Sequence, residues 1–169
     1  NEGIDKSKIY VVPNGVKSLD NIPPYKIRDN KSKKLNISYF GTLGISQDLK
    51  FWMNIIRNMK NEKFSFTIIG DGPLSKNLVS LSKNYKNLTF LSSVSREKII
   101  DFYYKSDLCI VSLKPNKYFC HTIPSKIFDI LSFSKPILFH GPKYGEAYNI
   151  IKNNDVGIVL PNNINESID

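Results

Sequence analysis

Short β-rich runs alternate with helix-like segments along this chain, and this alternation is the feature that most constrains its fold. Several of the β-rich runs are nearly continuous in apolar residues, as expected for strands that helices cover on both faces. The seven strand candidates are Ile9–Val12, Leu35–Phe40, Phe64–Ile69, Leu88–Leu91, Leu108–Ser112, Pro136–Phe139 and Gly157–Leu160. Between them, apolar residues follow helical spacing, as at Leu49, Trp52, Met53 and Ile56. The chain therefore reads as repeated strand–helix units.

Repeated strand–helix units predict right-handed βαβ crossovers, which give an α/β fold. We expect a Rossmann-like three-layer α/β/α architecture with a mostly parallel sheet, and one domain covering residues 1–169. In open sheets of this kind, ligands bind beyond the carboxyl ends of the strands. That rule directs the search for a site to the loops after Phe40, Ile69, Leu91, Ser112 and Phe139.

Composition narrows the class of protein. With 41% hydrophobic and 23% charged residues the chain is globular in type, and no apolar run approaches the roughly 20 residues that span a bilayer. The formal charge of +9 favours anionic partners: phosphorylated ligands, acidic membrane surfaces or nucleic acid. Cys109 and Cys120 form neither a disulfide framework nor a CxxC metal pattern, which is consistent with a reducing cytoplasm.

The segment from His121 to Asp129 carries the clearest chemical signal. Thr122 or Ser125 can cap a new helix, and Pro124 suits its first turn. Backbone N–H groups at a helix start favour phosphate, and Lys126 follows immediately. Asp129 lies one turn further on the same face, where it could bind a sugar hydroxyl. These residues also fit a plain capped helix with a surface ion pair.

Glycine-containing loops follow three of the strand candidates. The glycines of Gly41-Thr42-Leu43-Gly44 allow close approach of a phosphate or sugar, although this loop does not match a dinucleotide fingerprint and also fits an ordinary βα turn. Gly70-Asp71-Gly72-Pro73 fits a turn in which glycine relaxes φ and the proline starts a helix. Gly145 precedes Glu146 at a helix start, where the glutamate either contacts a ligand or complements the helix dipole. No group of residues has metal-ligand spacing, so we expect no metal.

Taken in order, these pieces resemble the carboxyl-terminal domain of a GT-B glycosyltransferase. The resemblance is to retaining bacterial enzymes of the glycosyl transferases group 1 (family 4) type that build capsules and O-antigens, in particular a fucosamine-transferase-like branch. It rests on Ile9–Val16, Gly41–Gly44, Ile68–Pro73, Asn87–Leu91, Ser106–Val111, Pro124–Asp129, Lys135–Ile137, Gly145–Ala147 and Gly157–Val159. These motifs span nearly the whole chain in the family's order.

The resemblance implies a fold and a donor site. The chain would be one half of a GT-B fold, holding a nucleoside diphosphate sugar, with the acceptor domain preceding residue 1. The glycine loop, with Thr42, would close on the donor phosphates, and Ser125 and Lys126 would meet the diphosphate. Asp129 would bind the ribose, and the loop after Leu91 would contact the base. The residues implied as donor-binding are Gly41, Thr42, Gly44, Gly70, Ser125, Lys126, Asp129 and Glu146.

Two departures bear on the chemistry. His121 stands where the family commonly has the first glutamate of its E-x7-E element, so the donor-sugar contact would fall to a histidine. Thr42 and Gln47 replace the basic residues that often flank the first glycine loop, so Lys126 would supply the charge that neutralises the leaving diphosphate. His121 and Lys126 are the expected catalytic residues, without metal or cofactor.

The expected function is sugar transfer from a nucleoside diphosphate donor, UDP-sugar first and GDP-sugar second, to a surface polysaccharide or lipid-linked acceptor. Without the acceptor domain, the 169 residues alone should be inactive. We expect a cytoplasmic location, with peripheral contact at the inner face of the membrane and no nucleic-acid partner. A sugar-nucleotide epimerase half-domain and a non-catalytic basic binding module remain as alternatives.

Overall fold

The computed structural model describes residues 3, 5–10, 15, 34–59 and 63–163. In this part of the chain, six parallel strands form one sheet, and five α-helices connect them. The strands are β1 (Leu35–Phe40), β2 (Phe64–Ile69), β3 (Leu88–Leu91), β4 (Leu108–Ser112), β5 (Ile137–His140) and β6 (Gly157–Val159). The helices are α1 (Leu49–Asn58), α2 (Ser75–Asn84), α3 (Arg96–Lys105), α4 (Lys126–Ser132) and α5 (Glu146–Asn153).

The strand order is β3-β2-β1-β4-β5-β6, and every pair is parallel. The chain builds outward from β1 to β3, then returns to the other side of β1 and builds outward again. The order therefore reverses between β1 and β4, and at such a point the loops diverge and leave a crevice at the carboxyl ends. The predicted Rossmann-like α/β fold is confirmed.

Two hydrophobic clusters fill the space on either side of the sheet. On one face, α1 and α2 pack through Trp52, Ile56 and Leu78 against strand residues such as Tyr39. On the other face, α3, α4 and α5 pack against a second set of strand residues; their buried contributions include Tyr103, Ile127, Ile130, Ala147 and Ile151. Because strand side chains alternate between faces, β1 to β5 each supply both clusters, which explains the continuous apolar runs in the sequence.

Strand boundaries differ from expectation at β5, at β6, which ends at Val159 and not at Leu160, and at the predicted strand Ile9–Val12. β5 begins at Ile137, since Pro136 has no N–H to donate, although the Pro136 carbonyl still accepts from the Cys109 amide at 3.0 Å. The predicted strand Ile9–Val12 is not seen at Ile9 and Tyr10, which are exposed, and its last two residues lie outside the described part of the chain. The rest of the Ile9–Val16 motif is likewise outside it, except for Gly15.

Candidate functional site

A cleft of about 590 Å³ opens beyond the carboxyl ends of β1 and β2, between α3 and α4. This volume lies within the range of small-molecule sites. The inner wall is apolar and includes Ile99, Tyr103 and Phe133, whereas Arg96 and Lys126 are the cations among its lining residues. The cleft thus combines an apolar surface for a planar group with positive charge for an anion.

Two glycine turns form the floor of the cleft. Gly41 donates its N–H to the Ile69 carbonyl at 2.9 Å, and Leu43 donates to the Asp71 carbonyl at 2.9 Å. The loop after β1 therefore runs against the loop after β2. A Cβ added at Gly70 would collide with the Gly41 carbonyl oxygen, so this packing requires glycine at position 70. Gly41 has φ 126°, a backbone conformation that L side chains rarely adopt.

The side chain of Lys126 points under the Gly41 turn. Its Nζ atom is buried and has no hydrogen-bond partner among the described residues. It lies 3.9 Å from the centroid of the Tyr39 ring and 3.3 Å from where a Cβ on Gly41 would stand. Burial lowers the pKa of Lys126 from its ordinary 10.5 to about 8. The ammonium thus contacts an aromatic ring but has no hydrogen-bond acceptor among the described residues, and an anion over the Gly41 turn could supply one.

The start of α4 differs from the capped helix expected from the sequence. Ser125 precedes the helix, but its backbone is already helical (φ −56°, ψ −29°) and its side chain makes no capping hydrogen bond. The Ile127 amide donates to the Pro124 carbonyl at 3.0 Å, and the Phe128 amide to the Ser125 carbonyl at 3.0 Å. Because these amides are partly used and the helix has seven residues, the anion-binding charge rests mainly on Lys126.

The loop between β3 and α3 forms the opposite wall. Ser93 donates its amide to the Asp71 carboxylate at 3.0 Å, and hydrogen bonds from the Ser93 hydroxyl and amide hold the pKa of Asp71 below its usual range. Asp71 thereby ties the β3 loop to the second glycine turn. The Ser95 side chain accepts from the Lys98 amide and so caps the start of α3. Arg96 follows in the first turn and faces the cleft.

Most of the residues predicted as donor-binding line this one cleft. Those brought together are Gly41, Thr42, Gly70, Ser125, Lys126 and Asp129. Gly44 belongs to the same turn but does not line the cleft.

Glu146 and His121 are both exposed and stand at a separate corner. The Glu146 amide donates to the Cys120 carbonyl at 2.9 Å, and the Gly145 backbone (φ 92°) packs directly on that carbonyl. If His121 and Glu146 contact the ligand as predicted, they would contact a part of it that extends beyond the cleft.

Sequence reasoning missed three functional candidates: Arg96, Tyr39 and the pair formed by Asp48 and His140. Arg96 could have been found, because it begins the helix after β3 and so lies at the carboxyl edge of the sheet. Tyr39 was missed because, in the sequence, it is one more residue of the apolar strand Leu35–Phe40. The Asp48–His140 contact joins residues far apart in the chain, and no local signal marked it.

Within the described ranges, no three or more His, Cys, Asp or Glu side chains are placed to hold a metal ion. No helix among the described residues has the length and apolar character needed to cross a membrane.

A doubly wound parallel sheet with a cleft at its carboxyl edge places this chain in the class of Rossmann-like α/β domains, the kind of domain that makes up each half of a GT-B fold. The chain belongs to the family described as Glycosyl transferases group 1, whose model matches residues 34–169. This match assigns the family but does not identify the sugar donor or the acceptor.

Individual relatives agree with this assignment. A probable glycosyltransferase of Pseudomonas aeruginosa, WbjE, is 26% identical over 160 residues, which is 94% of this chain and 38% of that protein. The lipopolysaccharide outer core galactosyltransferase WaaB in its apo form superposes with a TM-score of 0.66 at 16% identity, covering 98% of this chain and 46% of WaaB. A mutant of S. aureus TarM, solved in a complex that includes UDP, gives a TM-score of 0.66 at 16% identity, over 98% and 32% of the two chains. The chain therefore spans less than half the length of these relatives.

Proposed function

We propose that this chain is the donor-binding domain of a glycosyltransferase and that its cleft holds a nucleoside diphosphate sugar. The observation that carries the proposal is the Lys126 ammonium beneath the Gly41 turn, which has no hydrogen-bond partner among the described residues. Arg96 lines the same cleft as Lys126. Family membership supports transfer chemistry over the epimerase alternative. The TarM structure contains UDP, and that of Anabaena HepE contains UDP and glucose, which makes a UDP-sugar our first choice of donor.

Each part of the donor has a matching surface. The apolar wall with Ile99 suits the flat face of a base, and the Asp129 carboxylate suits ribose hydroxyls. The diphosphate would lie over Gly41, where the missing side chain permits close approach. The sugar would then point out of the cleft, toward the corner that carries His121.

The chemistry follows from charge. When the bond between the sugar and the diphosphate breaks, the leaving diphosphate oxygen takes the bonding electron pair. Lys126 and Arg96 would stabilise that growing negative charge. The complete enzyme would transfer the sugar, with retention and without a metal, to a surface polysaccharide or lipid-linked acceptor. Its surroundings would be the cytoplasm and the inner face of the membrane.

A thermal-shift panel tests the proposal. UDP, GDP and ADP are added to the 169-residue chain, to Lys126→Ala and to Lys152→Ala, an exposed lysine of α5. A ligand at 100 times its Kd stabilises by about 2.7 kcal/mol, which raises the Tm of a domain this size by several degrees. We expect such a rise with one nucleotide, retained in Lys152→Ala and lost in Lys126→Ala. If no nucleotide raises Tm, or Lys126→Ala responds like the unmodified chain, the proposal fails.

A further inference from the structure

The ammonium of Lys126 is held in an unusual place. It lies on the face of Tyr39, a residue that is 1% exposed and belongs to the core on the α1–α2 side of the sheet. Tyr39 donates its hydroxyl to the Thr42 carbonyl at 2.6 Å, which fixes the ring below the glycine turn. Lys126 thus reaches from α4 across the carboxyl edge of β1, beneath a turn that the donor must contact.

We propose that Tyr39 is a positioning residue: its ring holds the Lys126 amino group beneath the Gly41 turn, and a bound diphosphate draws that amino group into the cleft, where a neutral amine takes a proton from solvent. This inference rests on the proposed function. It adds Tyr39 to the site, and it links donor binding to protonation of Lys126.

The Lys126 amino group has a different environment beneath the Gly41 turn than beside a bound diphosphate. Under Gly41 the ammonium has lost its water, and the Tyr39 ring replaces it with a cation–π attraction of about 2 kcal/mol. That attraction is smaller than the cost of removing an ammonium from water, so burial favours the neutral amine and lowers the Lys126 pKa to about 8. A diphosphate supplies negative oxygens at hydrogen-bond distance, which favour the charged form and raise this pKa again.

The other charged and titratable groups around the cleft leave this role to Lys126. Arg96, from α3, carries a permanent charge. Burial raises the pKa of Tyr103, also from α3, and of Tyr39 itself, so both phenols stay neutral near pH 9. Asp129, on α4, lines the cleft as an acceptor. A proton taken up near pH 9 would therefore go to Lys126.

Calorimetry measures this proton directly. UDP is titrated into the chain at pH 9 in two buffers of different ionisation enthalpy. If GDP is the nucleotide that raises Tm in the thermal-shift panel, GDP is titrated in place of UDP. At this pH the terminal phosphate is already fully ionised, because its pKa is about 6. With a Lys126 pKa of about 8, we expect an uptake of about 0.9 proton per nucleotide. In Lys126→Arg, which stays charged, we expect none.

Variants of Tyr39 test the positioning role. Tyr39→Phe keeps the ring and should keep the uptake. Tyr39→Leu removes the ring, so the ammonium should move into the open cleft, and the uptake should fall by more than half. Phe66→Leu is the matched control, because Phe66 is an equally buried ring of the same core and no lysine or arginine of the described residues lies over it.

The possible results separate the two claims. Binding without proton uptake, or equal uptake in Tyr39→Leu and Phe66→Leu, would overturn this inference while leaving the proposed function standing. Absence of binding by UDP, GDP and ADP would overturn both.

Discussion

The Nε2 atom of His140 lies 3.0 Å from Oδ2 of Asp48, and this contact joins the end of β5 to the turn that follows β1. His140 is 1% exposed and stacks on Phe51 with ring centroids 3.6 Å apart. Because an ionised carboxylate can only accept, Nε2 carries the hydrogen and donates it. Asp48 has a left-handed backbone (φ 42°) and immediately precedes α1. The pair thus anchors the glycine loop at its far end.

Replacing Asp48 tests that anchor. The hydrogen bond from His140 holds the pKa of Asp48 below its usual 3.8, so its contribution to stability is present above pH 3.8 and is lost as the pH falls through the folded-state value. We expect Asp48→Asn, which tolerates the left-handed backbone, to lower the free energy of unfolding by about 1.5 kcal/mol at pH 7. Urea denaturation at pH 7 and pH 3 should show the difference shrinking at pH 3. Asp101→Asn, on the exposed side of α3, is the control; a pH-independent difference would argue against the anchor.

Buried charge at Lys126 should make stability rise with pH. The folded-state pKa of about 8 is below the ordinary 10.5, so below pH 8 both states are charged and the folded state bears the full penalty. Between about pH 8 and 10.5 this penalty disappears. We expect Lys126→Met to be about 2 kcal/mol more stable than the unmodified chain at pH 7, an advantage that fades by pH 10.5. Chemical denaturation across this pH range measures it, with Lys83→Met of α2 as an exposed control; a constant advantage would contradict it.

The packing of the two glycine turns predicts a severe effect at position 70. A side chain at Gly70 would strike the Gly41 carbonyl, so Gly70→Ala must displace the loop that forms the cleft floor. We expect a loss of about 3 kcal/mol in unfolding free energy. Gly15→Ala, where an added Cβ meets nothing within 4 Å, should change stability little. Equal Tm values for the two variants would show that the turns are not packed as described.

Asp129 should recognise the ribose of the donor. A carboxylate hydrogen bond to a hydroxyl contributes about 1.4 kcal/mol, or tenfold in affinity. We therefore expect UDP to bind about tenfold more tightly than 2′-deoxy-UDP, and we expect Asp129→Ala to bind both equally. Calorimetric titration of both nucleotides gives the four constants of this cycle. The assignment fails if Asp129→Ala weakens both nucleotides by the same factor.

His121 should affect the sugar and leave the nucleotide alone. Since this side chain is exposed and does not line the cleft, we expect His121→Ala to bind UDP within about twofold of the unmodified chain. If a UDP-hexose binds the unmodified chain more tightly than UDP does, His121→Ala should lower the affinity for that UDP-hexose by about tenfold. Titrations with UDP, UDP-glucose and UDP-galactose measure both. A loss for UDP as large as that for the sugars would place His121 in the nucleotide site instead.

Much of the site could be predicted from the sequence, because most of its residues lie in short sequence motifs next to strand ends and helix starts. Gly41, Gly70 and Lys126 each follow a strand or begin a helix, and parallel strands bring such positions to one edge. The strands β1 to β4 were predicted with the bounds that the structure shows, since continuous apolar runs ending in glycine or polar residues leave little choice of boundary. A helix cap at Thr122 or Ser125 was predicted, but the Ser125 side chain forms none, because its backbone is already helical.

Local pattern therefore determined the class of fold and the edge of the sheet at which a ligand would bind, since both follow from the order of strands and helices. Only the tertiary structure decided which side chains meet there. Tyr39 touches Lys126, and His140 bonds to Asp48 across 92 positions, because β1, β4 and β5 lie side by side in the sheet. Such contacts depend on how separate elements pack, and no spacing within one element encodes them.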